Sequence, residues 1–175
     1  MKSSLTPRFG KGLMSTQLIL PIQPPDAHCL ENFYTGQNAI LLNCLRQFSL
    51  KIGEPYIYIW GNPGAGCTHL LQACCHAAQQ EGFSVAYLPL NTIKKNNSSE
   101  MLRGLESVDM VCIDELDSIV DDSIWQESLF HFYNRLQEQS RYLLIAAKHS
   151  PNQLNFSLPD LISRLSSGVL FQVRE

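Results

Sequence analysis

Short apolar runs alternate with amphipathic stretches over most of the chain. The apolar runs are rich in β-branched and aromatic residues, which is typical of buried strands. Five strands are predicted, at residues 57–60, 84–88, 110–113, 142–146 and 169–173. Helices are predicted at residues 38–50, 68–80, 99–105, 123–139 and 158–165. Because strand and helix alternate, the sequence predicts an α/β fold in which a five-stranded parallel sheet carries helices on both faces.

Helical periodicity is clearest in residues 123–139. Trp125, Leu129, Phe132 and Leu136 recur there at the spacing of one helix face. By contrast, residues 94–99 read Lys-Lys-Asn-Asn-Ser-Ser and contain no apolar position. A uniformly polar stretch between periodic segments predicts a surface loop.

A glycine-rich loop lies between the first predicted strand and the helix that follows it. It matches the phosphate-binding pattern G-x-x-x-x-G-K-[ST] in every defining position except the lysine. In this motif backbone N–H groups turn inward around an anion, and the next helix adds its partial positive charge. The candidate nucleotide-binding residues are Gly61, Asn62, Pro63, Gly64, Ala65, Gly66, Cys67, Thr68 and His69. A plain Gly/Pro turn needs no ligand, but the strand–loop–helix context favours the phosphate loop.

Cys67 occupies the lysine position of the loop. A neutral thiol lacks both the charge and the three strong donors of an ammonium group. We therefore expect that a diphosphate can still bind and that efficient hydrolysis is impaired.

A second nucleotide motif follows about fifty residues later, as expected for the Walker B strand of such proteins. The apolar strand Val-Cys-Ile ends in Asp114 and Glu115. Asp114, together with Thr68, is the candidate Mg²⁺ site, directly or through water. Glu115 is the candidate base that polarises the attacking water, in vestigial or weak form. Acidic residues at the end of a strand also occur by chance, so the motif depends on the loop before it.

The composition is that of a globular domain. A chain of 175 residues with 45% hydrophobic content can bury one sizeable core. Lys+Arg 13 against Asp+Glu 16 gives a net charge of -3 without a basic block, so direct DNA binding is not expected. Six cysteines form no zinc-like pattern with the five histidines and suggest reduced, cytosolic thiols. We find neither a signal peptide nor a run approaching the roughly 18 apolar residues of a membrane span.

Residues 1–26 are predicted to be a tail in front of a nucleotide-binding domain at residues 27–175. Residues 1–13 are either a native tail or the product of an upstream start codon. A stiff linker, Gln-Pro-Pro-Asp, closes the tail. The candidate partner-binding residues are Gln17, Leu18, Leu20, Pro21 and Ile22. Such a peptide either docks in extended form on a partner or packs as an edge strand on its own domain.

Four segments occur in a fixed order along the chain. They are Glu31-Asn32-Phe33-Tyr34-Thr35-Gly36, the loop ending in Thr68-His69-Leu70-Leu71-Gln72-Ala73, the strand with Asp114-Glu115, and Leu158-Pro159-Asp160-Leu161-Ile162-Ser163-Arg164-Leu165. This order resembles DnaA-type AAA+ ATPases, which implies a P-loop NTPase base subdomain. Within the family the chain is most similar to the Hda-type inactivators of the replication initiator, because residues 17–22 resemble their clamp-binding peptide.

The resemblance implies ligands, partners and location. It implies ADP, or ATP, in the loop, with Mg²⁺ where a triphosphate is bound. It implies the DnaA initiator and the sliding clamp, the β subunit of DNA polymerase III, as partners. DNA would be contacted only indirectly, and the membrane not at all, while assembly into homo-oligomers stays open. The expected location is the bacterial cytoplasm, at the nucleoid through the clamp.

Arg164 matches the arginine finger of the family. Such an arginine enters a neighbour's nucleotide site, stabilises charge on the transferred phosphoryl group, and contributes roughly 10³ to 10⁵ in rate. The alternative is a surface arginine paired with Asp160 one helical turn earlier, an interaction of about 0.2–0.5 kcal/mol.

Two features depart from the family pattern. Lys148 stands where related proteins have an acidic sensor residue. Either this lysine reaches the phosphates and replaces part of the charge missing at Cys67, or it is a solvated lysine at a strand end. The sequence stops at Glu175, just after the fifth predicted strand, so we expect the helical lid of the family to be absent.

Three functions are compatible with the sequence. The first is a regulator that docks on the clamp and stimulates ATP hydrolysis on DnaA in trans through Arg164. The second is a self-contained ATPase, similar to DnaA or to a DnaC-type loader, which uses Thr68, Asp114 and Glu115. The third is a pseudo-ATPase adaptor that binds a DnaA-family partner without stimulating hydrolysis.

Overall fold

A five-stranded, all-parallel sheet forms the centre of the protein, as the sequence predicts. The structure, a computed structural model, describes residues 29–96 and 98–174. The strands are β1 (Tyr56–Trp60), β2 (Val85–Pro89), β3 (Met110–Asp114), β4 (Tyr142–Ala147) and β5 (Val169–Gln172). Their order across the sheet is β2-β3-β4-β1-β5. The strand that precedes the glycine-rich loop is therefore flanked on both sides by later strands.

Helices cover both faces of this sheet, which confirms the predicted layering. They are α1 (Ala39–Ser49), α2 (Cys67–Gln80), α3 (Leu90–Asn96), α4 (Ser123–Glu138) and α5 (Pro159–Leu165). The buried residues of α1 and α2 share one apolar core with one face of the sheet. Those of α3, α4 and α5 share a second core with the other face. None of the described helices is long and apolar enough to cross a membrane.

Two local predictions between β2 and β3 are wrong. The polar stretch at residues 94–99 was predicted as a loop, but its first part belongs to α3. Leu90 and Ile93 are buried and hold this short helix against the core, so the lysines that follow lie at its surface. Residues 99–105 were predicted as one helix and instead form two 3-10 turns, Ser99–Leu102 and Leu105–Ser107. Gly104 lies between the two turns with φ +89°, a left-handed conformation that ends a helix.

The sheet has two functionally different edges because all strands run in the same direction. At the carboxyl edge, the glycine-rich loop follows β1, Asp114 ends β3, and Lys148 follows β4. Ligand sites of parallel α/β sheets form at this edge. At the amino edge, the strands are tied together by a charged cluster that we call the Asp109 clasp.

The Asp109 clasp joins the amino ends of three strands. The backbone N–H and the hydroxyl of Ser84 donate to Asp109 at 3.0 and 2.7 Å. The Lys51 ammonium lies 3.0 Å and the Arg141 guanidinium 3.6 Å from the same carboxylate. The hydrogen bonds from Ser84, with help from Lys51, lower the pKa of Asp109 to about 2. The clasp thus stabilises the folded state with Asp109 ionised.

We predict that Asp109→Asn lowers the free energy of unfolding at pH 7 by about 1–2 kcal/mol, because the amide loses the charge-assisted bonds. The folded-state pKa, about 2, lies below the ordinary value of 3.8. The stabilisation is therefore complete above about pH 4 and is lost as the pH falls toward 2. Urea unfolding of both proteins between pH 7 and pH 2 should show the stability gap closing in that window. The exposed Asp121→Asn is the control. A gap that is absent at pH 7, or constant with pH, would contradict the clasp.

Candidate functional site

A cavity of about 280 Å³ opens at the carboxyl edge of the sheet. It brings together the glycine-rich loop, the acidic end of β3 and the residues that follow β4. Its lining residues are Gly61, Asn62, Pro63, Gly64, Gly66, Cys67, Thr68, Asp114, Glu115, Asp117, Ala147 and Lys148. The structure therefore places both sequence motifs around one space.

The glycine-rich loop has the backbone that an anion cradle requires. Gly64 and Gly66 adopt φ +97° and +94°, values that residues with a Cβ rarely tolerate. At Gly66 a Cβ would also lie 2.6 Å from the ring of Phe33. The 14-residue helix α2 begins directly afterwards at Cys67, so the unpaired N–H groups of its first turn lie beside the cavity. This arrangement fits a di- or triphosphate group.

The thiol of Cys67 carries no charge in this site. Burial, with the Asp114 carboxylate as the next cause, raises its pKa to about 12. At neutral pH the group is therefore a thiol, and neither a cation nor a thiolate is present at the lysine position. The loop itself therefore offers backbone donors and helix charge only, and binding without efficient hydrolysis stays a prediction.

Asp114 is held rigidly at the floor of the cavity. Its side chain is buried, with 4% of the residue exposed. The hydroxyl of Tyr87 donates to one oxygen at 2.9 Å, and the N–H of Glu115 donates to the other at 2.8 Å. Burial and the nearby carboxylate raise the pKa of Tyr87, so this hydroxyl stays a donor. Sequence reasoning missed Tyr87, because nothing in β2 marks which of its residues faces the acid of β3.

Glu115 adopts a left-handed conformation with φ 56° and ψ 46°. For a residue with a side chain this conformation costs about 1–2 kcal/mol and is concentrated at functional sites. The turn separates the roles of the two acids. Asp114 points into hydrogen bonds at the floor, while the Glu115 side chain lines the cavity without a hydrogen-bond or ion-pair partner in the described part of the chain.

Asp117 holds the two residues that follow β4, Lys148 and His149, in place. It accepts a hydrogen bond from the N–H of Lys148 at 2.6 Å and contacts Nδ1 of His149 at 2.8 Å. Tyr58 completes this arrangement, since its hydroxyl donates to the carbonyl of His149 at 2.7 Å. Sequence reasoning missed Asp117 as well. Its only signal is that it lies two residues after the acidic pair.

The other predicted binding residues divide into two groups. Thr68 lines the cavity together with Asp114, and one hydroxyl plus one carboxylate fit a Mg²⁺ ion that also binds phosphate and water. Within residues 29–96 and 98–174, no group of three or more His, Cys, Asp or Glu could hold a metal alone. Ala65 is buried beneath the loop, and the ring of His69 lies 6.0 Å from that of Phe33. These two residues support the loop from outside the cavity.

Arg164 lies near the opposite edge of the sheet from the cavity. It is exposed near the end of α5 and lines a small recess with Tyr56 and Gly168, at the amino end of β1. In the described residues its guanidinium has no hydrogen bond or ion pair, so the alternative pairing with Asp160 is not formed. The cavity at the carboxyl edge, by contrast, is lined by the loop that follows β1 and does not include Arg164. Arg164 therefore does not belong to the chain's own nucleotide site.

The predicted partner-binding residues Gln17, Leu18, Leu20, Pro21 and Ile22 lie outside the described residues. The predicted domain boundary between residues 26 and 27 also lies outside them. Both remain predictions from sequence.

Comparison with known proteins agrees with this geometry. The profile of the bacterial DnaA ATPase domain matches residues 26–172. AMPPCP-bound DnaA from Aquifex aeolicus is 27% identical, with a TM-score of 0.74 over 86% of this chain and 51% of that chain. A DNA replication initiation factor is 26% identical, with a TM-score of 0.76 over 84% and 49% of the two chains. The protein thus spans about half the length of these two relatives.

A helicase loader, DnaC, shares the fold at lower identity. It is 16% identical, with a TM-score of 0.65 over 84% of this chain and 97% of that chain. The resemblance inferred from four short segments is thereby confirmed at the level of the family, whose fold also occurs in helicase loaders. The nucleotide cradle, the acidic strand end and the profile match agree, and the chain belongs to the family of bacterial DnaA ATPase domains, which are AAA+ proteins related to replication initiation.

Proposed function

We propose that this protein is a negative regulator of chromosomal replication initiation, of the Hda type. It docks on the sliding clamp through residues 17–22 and offers Arg164 to ATP bound on the DnaA initiator. Hydrolysis then takes place in the site of the partner and converts the initiator to its ADP form. The position and exposure of Arg164 are the observation that carries this proposal.

Arg164 has the properties that a finger acting in trans requires. Its guanidinium is exposed, and in the part of the chain that the structure describes it is engaged by no acid. A planar, permanently charged fork suits the oxygens of a transferring phosphoryl group. Arg164 and the chain's own loop line different recesses, toward opposite edges of the sheet. This placement supports action on a triphosphate bound to another molecule.

The chain's own site supports a structural nucleotide better than a catalytic one. The neutral thiol of Cys67 gives no positive charge to a γ-phosphate that is breaking away. Bound ADP would still bridge the loop and α2 through backbone donors. Mg²⁺ would be held by Thr68 and Asp114 when a triphosphate is bound.

Docking on the clamp would bring the regulator to replicated DNA without a DNA-binding surface of its own. The amide of Gln17 suits hydrogen bonds at the rim of a groove, and Leu18, Leu20 and Ile22 suit apolar pockets. The nearby prolines reduce the conformational entropy that is lost on docking. This arrangement accounts for nucleoid association in the bacterial cytoplasm with only indirect contact to DNA.

Replacing the finger provides the sharpest test of the proposal. In a mixture of DnaA, ATP, clamp and DNA, the wild-type protein should stimulate ATP turnover by DnaA. Arg164→Ala should reduce that stimulation by roughly 10³-fold or more, because the charge that stabilises the transition state is removed. Arg46→Ala, at an exposed position on α1, is the matched control and should stimulate normally. If the wild-type protein leaves ATP turnover by DnaA unchanged, the proposal is overturned. If Arg164→Ala stimulates turnover fully, Arg164 is not the arginine finger.

The clamp peptide gives an independent prediction. The combined change Gln17→Ala, Leu18→Ala and Leu20→Ala should weaken clamp binding at least about 30-fold, because truncated anchor residues typically cost 2 kcal/mol or more. Surface plasmon resonance on immobilised clamp measures this loss. The neighbouring pair Ser15→Ala and Thr16→Ala is the control. Equal affinity of the triple variant and the wild type would show that residues 17–22 are not the docking peptide.

A self-contained ATPase remains the second candidate, because the Glu115 side chain lines the cavity and is not engaged. We expect intrinsic ATP turnover of the purified protein to stay near background and to be unaffected by Glu115→Gln. A phosphate-release assay with the protein alone measures this. Measurable turnover that Glu115→Gln abolishes would favour the ATPase over the regulator.

A further inference from the structure

The charged side chains that line the nucleotide cavity differ in whether they are engaged by hydrogen bonds within the protein. Four charged side chains line it, namely three acids and Lys148. Lys148 is the only lysine or arginine among the described lining residues. A cavity that is otherwise acidic repels phosphate, so the single cation has a large effect on what the cavity can hold.

Two of the three acids are engaged by hydrogen bonds within the protein. Asp114 accepts from the Tyr87 hydroxyl and from the N–H of the next residue. Asp117 uses its oxygens on the N–H of Lys148 and the ring of His149. Neither carboxylate forms an ion pair with the ammonium of Lys148. This lysine lines the cavity, is exposed, and has no ion-pair partner among the described residues.

The backbone holds Lys148 next to the start of the glycine-rich loop. Ala147, the residue before it, pairs with Trp60 of β1. The N–H of Gly61, the first residue of the loop, donates to the carbonyl of Ala147 at 3.3 Å. Asp117 fixes the next peptide group from the other side, at 2.6 Å. Lys148 therefore extends from an anchored backbone, and its flexible four-carbon stem can move its ammonium across the mouth of the cavity.

We propose that Lys148 supplies the phosphate-binding ammonium of this site, from the end of β4 instead of from the loop position occupied by Cys67. Its ligand is the β-phosphate of a nucleoside diphosphate held in the cradle. This inference deepens the structural nucleotide of the proposed function and rests on it.

Titration calorimetry with ADP on the full chain tests the proposal. Lys148→Ala should weaken ADP binding about 10- to 100-fold, because a charge-assisted hydrogen bond is lost. Its affinity for AMP, which has no β-phosphate, should change less than about twofold. Lys148→Arg should retain most of the affinity for ADP. Lys95→Ala removes an exposed lysine on α3, outside the cavity, and should bind like the wild type.

A second variant links the two positions directly. Cys67→Lys in the Lys148→Ala background should restore ADP binding, whereas in the wild-type background it should add less. Such non-additivity is expected when two groups serve the same phosphate. Thermal unfolding of each variant without nucleotide serves as the control for folding.

The outcomes separate this inference from the regulatory proposal. If Lys148→Ala and the wild type bind ADP with equal affinity, only the role of Lys148 is overturned, and the structural nucleotide is not. A wild-type protein that does not bind ADP would overturn both the structural nucleotide and Lys148. Stimulation of DnaA turnover through Arg164 is measured in a different assay, and neither result would decide it.

Discussion

The parallel pairing of β1 with β4 is the contact on which the rest of the site depends. Trp60 lies opposite Ala147, and the hydrogen bond from the Gly61 N–H continues the ladder one residue past the end of the strand. This pairing places the glycine-rich loop and Lys148 side by side. Pairing of β4 with β3 then places Asp114 at the same edge. A slip of register in either pair would separate the cradle from its charges.

The two edges of the sheet carry different functional groups. The carboxyl edge holds a nucleotide cradle with a neutral thiol. The Asp109 clasp lies at the amino edge, and the exposed Arg164 lines a separate recess that includes the amino end of β1. Between them the sheet is packed on both faces by buried side chains, so the two edges keep a fixed separation. Under the proposed function, such a domain would bind one nucleotide for its own integrity and act on another in a different molecule.

Most of the fold could be predicted from the sequence because its signals are local. The strands are short apolar runs, and the loop between Gly61 and Thr68 is a contiguous motif. Helix α3 was missed because burial of Leu90 and Ile93, which only the folded core provides, outweighs a polar sequence. Contacts between segments that are distant in the sequence could not be predicted either. The bond from Tyr87 to Asp114 depends on strand register and the bond from Lys148 to Asp117 on a turn, so neither could be predicted from residue spacing.

The raised pKa of Cys67 has a consequence for the chemistry of oxidation. Because burial raises the pKa of Cys67 to about 12, the thiol form predominates strongly over the thiolate at pH 7. Peroxides and alkylating reagents attack the thiolate, so they react slowly with this position. Replacing a lysine by a cysteine could have turned a nucleotide loop into a redox sensor. Burial beside a carboxylate opposes that here, because it keeps the group in its less reactive thiol form.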